Sequence, residues 1–97
     1  MSFEIECTIA YVLSSTYRLK VVKVLHENMS FPSKIAKNSG IRLNHISKVL
    51  KDLKDNNIVE CINPEVRKGK LYRLTDKGEK ISELIFDRGS YKWLMKK

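Results

Sequence analysis

The segment from Pro32 to Lys51 constrains the fold more than any other part of the chain. Within it Ile35, Ala36, Gly40, Ile41, Ile46 and Val49 recur at the spacings that two short helices meeting at a sharp corner require. Pro32 suits a first helical turn, because it lacks only an amide that would have no intrahelical partner there. Gly40 tolerates the positive φ that ends one helix and turns the chain toward the next. Ala36 is small where the two helices cross, Ile41 plugs the corner, and Ile46 and Val49 seat the second helix on the first. That second helix is predicted from near Leu43 to about Asn56, with Ile46, Val49, Leu50 and Leu53 at i, i+3, i+4 and i+7 on a core-facing stripe. Its opposite face carries Asn44, His45, Ser47, Lys48 and Lys51.

The flanking segments supply the remaining elements. From Phe3 to Leu13 the apolar residues Phe3, Ile5, Cys7, Ile9 and Tyr11 alternate as in a strand, whereas Ile5, Ile9, Val12 and Leu13 fit a helix; the helix is the reading adopted. Ser14, Ser15 and Thr16 offer capping hydroxyls for a helix running to about Glu27, and Asn28 ends it. Ile58 to Ile62 and Lys70 to Leu74 read as strands joined by a turn over Asn63–Gly69, giving a hairpin with a basic tip. Thr75 caps a last helix from Asp76 to about Phe86, with Ile81, Leu84 and Ile85 on one face and Asp76 and Glu79 complementing its dipole. Gly89 is expected to end it. The tail from Ser90 to Lys97 contains Tyr91, Trp93, Leu94 and Met95, too apolar for a purely solvated end, and is expected to pack on this subunit or another. Tyr17 and Tyr72 are read as core residues.

Composition narrows the function classes. Ninety-seven residues with 42% hydrophobic content fit one domain over 1–97. The chain carries 19 Lys and Arg against 11 Asp and Glu, a net +8 that suits a polyanionic partner. Ten basic and four acidic residues fall between Asn28 and Thr75, placing +6 of that charge in the middle half. Cys7 and Cys61 lack a CxxC spacing or a His-rich neighbourhood, so no metal site or disulfide framework is encoded, and both thiols are expected to be reduced and buried. Only His26 and His45 are present, in different helices, and neither a Gly-rich phosphate loop nor an HExxH spacing occurs; no enzyme and no cofactor are expected. No stretch is long and apolar enough to span a bilayer, and the acidic start Met1–Glu6 lacks the layout of a signal peptide, so a cytoplasmic location is expected.

From Tyr11 to Lys80 the chain resembles archaeal winged helix-turn-helix transcriptional regulators of the MarR-like and ArsR-like group. Tyr11 to Leu25 looks like their opening helices, Ser33 to Ile41 like their positioning helix, and Asn44 to Leu53 like their recognition helix. Asn57–Glu60 and Tyr72–Gly78 match the segments flanking their wing. The implied fold is α+β, mainly α: an N-terminal segment (1–14), a helix-turn-helix (32–56), a two- to three-stranded antiparallel wing (58–74), and a C-terminal helix with its tail (75–97). Two departures stand out. Arg42 occupies the position where such proteins often place a Ser or Thr cap, offering a cation near the groove instead. The paired cysteines of metal-sensing members are missing between Leu43 and Asn56, which disfavours a metal sensor.

The resemblance implies sequence-specific binding of double-stranded DNA. Asn44 and Lys48 are the expected base-edge readers, since Asn pairs bidentately with adenine and Lys reaches guanine acceptors; His45 and Ser47 suit base or phosphate. Arg42 and Lys51 extend the same helix's cationic face. Arg67, Lys68 and Lys70 at the wing would meet backbone phosphate or the minor groove, while Lys34 and Lys37 clamp the flanking strand. A homodimer through the C-terminal helix and tail, with the N-terminal segment as a further candidate, is also expected. The competing reading is a protein-interaction module within a larger nucleic-acid-processing or transcription complex. The polar outward face of the helix from Leu43 to Asn56 counts against it, because protein interfaces center on apolar anchors.

Overall fold

The computed structural model describes residues 3–87. In chain order these form α1 (Phe3–Leu13), α2 (Thr16–Glu27), α3 (Pro32–Ser39), α4 (Leu43–Asp55), β1 (Val59–Cys61), β2 (Tyr72–Leu74) and α5 (Asp76–Ser82), the last continued by a π-helical turn over Glu83–Asp87. The expected helix end at Gly89 and the tail lie outside the described residues.

Caps fix where the helices begin. Ser15 is extended, and its hydroxyl accepts from the Arg18 amide at 3.3 Å, starting α2 one residue later. Arg18 in turn lies 3.8 Å over the Tyr11 ring and donates to the Tyr11 carbonyl at 2.9 Å, holding the α1–α2 corner. The segment with two periodicities is helical, because that form brings Thr8, Ile9 and Val12 onto one buried face. Pro32 opens α3, and Gly40 closes it in the left-handed region with φ +75°. Ile41 behind it is buried, as are Ile46, Val49, Leu50 and Leu53 of α4. These pack with Val21, Val22, Leu25, Ile35, Ile58 and Ile81 into a shared aliphatic cluster.

Val59 pairs with Leu74, Glu60 with Arg73 and Cys61 with Tyr72 in antiparallel register. β1 is one residue shorter than predicted at each end, and β2 starts two residues later but ends at Leu74 as predicted. Beyond the Ile62 amide, which donates to the Leu71 carbonyl at 2.8 Å, the ladder gives way because the Asn63 side chain takes the Leu71 amide, also at 2.8 Å. A third backbone segment joins the sheet at one residue. Ser30 and Tyr72 exchange both amide-to-carbonyl bonds at 3.0 Å, a bridge with no periodic signature in the sequence.

Two expectations about burial are corrected. Cys7 is exposed and Cys61 half-buried rather than both buried; Cys7 sits just off the Thr8, Ile9 and Val12 face of α1. Tyr17 is 42% exposed, because the first turn of α2 projects past the edge of the core. Tyr72 is half-buried on the inner side of the sheet, and burial, reinforced by Cys61, pushes its phenol above the usual range.

The C-terminal helix is fastened at both ends. The Thr75 hydroxyl accepts from the Gly78 amide at 3.0 Å and donates to the Asn57 carbonyl at 2.7 Å. Gly78 is buried directly against the Ile58 carbonyl, where no Cβ fits. His26 of α2 lies 2.8 Å from Ser82 Oγ through Nδ1 and 3.0 Å from Asp87 Oδ1 through Nε2, with its ring on Phe86. Lys77 reaches Glu4 at 3.2 Å, linking α5 to α1.

Candidate nucleic-acid interface

The buried stripe of α4 dictates what remains outside. With Ile46, Val49, Leu50 and Leu53 turned inward, Asn44, His45, Ser47, Lys48 and Lys51 are all exposed, as is Arg42 just before the helix. At 1.5 Å per residue the helix is about 20 Å long, and its width matches a B-form major groove. Arg42 is extended at φ −63° and ψ 145° and makes no side-chain cap bond, so its guanidinium is not used to start the helix.

The groups on this face differ in how far they are committed. Ser47 donates its hydroxyl to the Leu43 carbonyl at 3.3 Å, which leaves the oxygen as an acceptor. Lys51 lies 3.3 Å from the Asp55 carboxylate one turn on. That pair is exposed and contributes at most tenths of a kcal/mol, about the usual value for such spacing, so it is readily exchanged for a phosphate. Among the described residues, no salt bridge involves Lys34, Lys37, Arg42, Lys48, Arg67, Lys68 or Lys70, whereas Lys23, Arg73 and Lys77 each have a carboxylate partner. The cations picked out from the sequence are thus mainly those whose charge the protein leaves uncompensated.

His45 is held by a neighbor that sequence reasoning missed. The Tyr17 ring meets it edge-on, with centroids 5.6 Å apart and planes at 60°. Ser15, Tyr17, Arg18, His45, Lys48 and Asp52 line a shallow groove of about 300 Å³ between the start of α2 and the outer side of α4. As an aromatic residue Tyr17 was expected in the core, and only the tertiary arrangement carries it over α4. Leu43 was also missed: it is 51% exposed at the first position of α4, an apolar group beside Asn44 and Ser47.

The wing owes its shape to Asn63. Its Nδ2 donates to the Gly69 carbonyl at 3.1 Å, its Oδ1 accepts from the Leu71 amide, and its backbone carbonyl accepts from the Val66 amide at 3.2 Å. Gly69 turns the chain back with φ +76°. Arg67 and Lys68 are exposed at the tip, while Lys70, just past the turn, is half-buried. Asn before Pro was the available signal, since Asn side chains hydrogen-bond local backbone in turns. On α3, Lys34 and Lys37 are exposed around the buried Ile35. The predicted residues therefore occupy one helix face, the preceding helix and the hairpin, with Arg67 and Lys68 at its tip and Lys70 at its base.

Among the described residues no three His, Cys, Asp or Glu side chains gather to hold a metal, and no helix is long and apolar enough to cross a membrane.

A helix packed across a short positioning helix and followed by a basic hairpin defines a class of small, predominantly helical domains. The family model described as winged helix-turn-helix matches residues 18–90, and the chain belongs to that family. Among solved structures, it is similar to the homodimeric winged helix-turn-helix DNA-binding domain of a possible ArsR-family transcriptional regulator from Mycobacterium bovis. That match has a TM-score of 0.70 at 21% identity and covers 92% of this chain and 82% of that one. A mutant of Lactococcus lactis ZitR matches with a TM-score of 0.63 at 19% identity, covering 84% of this chain and 54% of that one. At these identities the likeness is one of fold. No curated protein matches the chain.

Proposed function

We propose that the chain binds double-stranded DNA through α4 and the wing and acts as a transcriptional regulator. The observation that carries this is the exposed polar face of α4, flanked by cations that have no carboxylate partner among the described residues. Family membership supports it, as do the fold neighbors, one described as a DNA-binding domain of a possible regulator. In this reading α4 enters the major groove. Asn44 and Lys48 read base edges, and His45 and Ser47 contact base or phosphate. Arg42 and Lys51 lie along the same groove, Arg67, Lys68 and Lys70 meet backbone or minor groove, and Lys34 and Lys37 grip the flanking strand.

The test is a titration of a labelled duplex at several salt concentrations. About six phosphate contacts give a slope near −5 in log affinity against log salt. Binding that is absent, or indifferent to salt, would overturn the assignment and favour the protein-interaction module.

A homodimer accompanies this reading, supported by the homodimeric state of the Mycobacterium domain and by Phe3, 80% exposed on α1. Sedimentation at high micromolar concentration is expected to show a dimer, and a monomer there would exclude it.

A further inference from the structure

The outward face of the sheet carries exposed apolar side chains beside the Glu60–Arg73 pair, and it opens into an acidic groove. Strand alternation turns Tyr72 and Leu74 inward and leaves Leu71 and Arg73 outward. The register carries these outward rows to Ile62 and Glu60 on β1, and past the Ser30 bridge to Phe31 and Met29. Met29, Phe31 and Ile62 are 50%, 44% and 40% exposed. The row of Met29, Arg73 and Glu60 forms one wall of a groove of about 520 Å³, closed on the other sides by the end of α2, α5 and the π turn.

Six carboxylates line this groove: Glu27, Glu60, Asp76, Glu79, Glu83 and Asp87. Glu27, Glu60 and Asp87 are paired with Lys23, Arg73 and His26. Asp76, Glu79 and Glu83 have no cationic partner among the described residues, in a chain whose net charge is +8. An acidic pocket beside exposed apolar side chains calls for an occupant that is both cationic and apolar.

The chain supplies such a segment at that point. Asp87 lines the groove, and the residues after it, Arg88–Lys97, include Arg88, Lys92, Lys96 and Lys97 with no Asp or Glu, alongside Tyr91, Trp93, Leu94 and Met95. Their extended reach is roughly 33 Å at most, enough to follow the groove to Met29, Phe31 and Ile62. We propose that residues 88–97 dock on their own domain, setting their cations against Asp76, Glu79 and Glu83 and their apolar side chains against the outward face of the sheet. The tail then covers its own subunit rather than building the dimer. This assignment does not depend on DNA binding.

Trp93 is the only tryptophan, so intrinsic fluorescence of the full chain reports directly on the docking. Its emission is expected to be blue-shifted and shielded from acrylamide, equally so across a roughly hundredfold range of protein concentration. The exposed pair Glu79→Lys and Glu83→Lys is expected to shift emission to the red and raise the quenching constant about twofold or more, by turning attraction into repulsion. Lys96→Glu with Lys97→Glu, which leaves the described domain untouched, is expected to do the same. Three results would overturn the proposal: a wild-type Trp93 quenched like a free indole, shielding unmoved by either double reversal, or shielding lost on dilution, which would assign the tail to a second copy.

Discussion

Reversing three charges together, Lys48→Glu, Arg67→Glu and Lys70→Glu, is expected to weaken duplex binding by at least about a hundredfold at physiological salt. Each change removes a cation that has no carboxylate partner among the described residues and adds repulsion toward phosphate. Lys48 lies on the exposed face of α4 and Arg67 at the wing tip, while Lys70 is half-buried at the base of the turn, so the set samples both parts of the proposed interface. None belongs to the aliphatic cluster, and the melting temperature is expected to stay close to that of the wild type. Fluorescence anisotropy on a labelled duplex, alongside a thermal melt, checks both statements. Undiminished affinity in a folded variant would place any DNA contact away from these elements.

The second large effect concerns stability. Gly78→Ala in α5 is expected to destabilise the fold by about 2 kcal/mol, despite placing the best helix former in a helix. On an exposed helix the exchange would gain about 1 kcal/mol from propensity alone. Here the added Cβ would collide with the Ile58 carbonyl, a backbone atom that also accepts the Thr75 amide at 3.0 Å. Relief requires α5 to move off the Ile58 backbone just before β1, and forced overpacking of this kind costs about 1–3 kcal/mol, more when no flexible side chain can yield. Denaturant melts should show a lower midpoint with an unchanged slope. A midpoint equal to or above that of the wild type would mean that α5 does not approach the Ile58 carbonyl this closely.

The parts of this fold that were legible in the sequence are those governed by local rules. The α4 stripe follows from helical periodicity, so its exposed complement, from Asn44 to Lys51, could be read before any coordinates. Gly40, Ser15 and Thr75 announce a turn and two caps, because few residue types satisfy those backbone demands. What stayed hidden depends on partners distant in the chain. Ser30 joins β2 through one residue, too short a pairing to leave a pattern. Tyr17, read as a core aromatic, overhangs α4 and meets His45. Cys7 belongs to the strand-like alternation of its segment, and the helical form turns it to solvent. Gly78 reads as a poor choice within a helix until the carbonyl behind it is seen.

The Asn63 clamp has a consequence for how such a molecule diversifies. One amide side chain fastens the neck of the hairpin to Gly69 and Leu71, so the bend from Pro64 to Lys68 hangs outside the frame that aligns the strands. Residues there can be exchanged or multiplied without disturbing what lies below the clamp. The reach and charge of the loop become a replaceable fitting, open to change by editing a handful of codons.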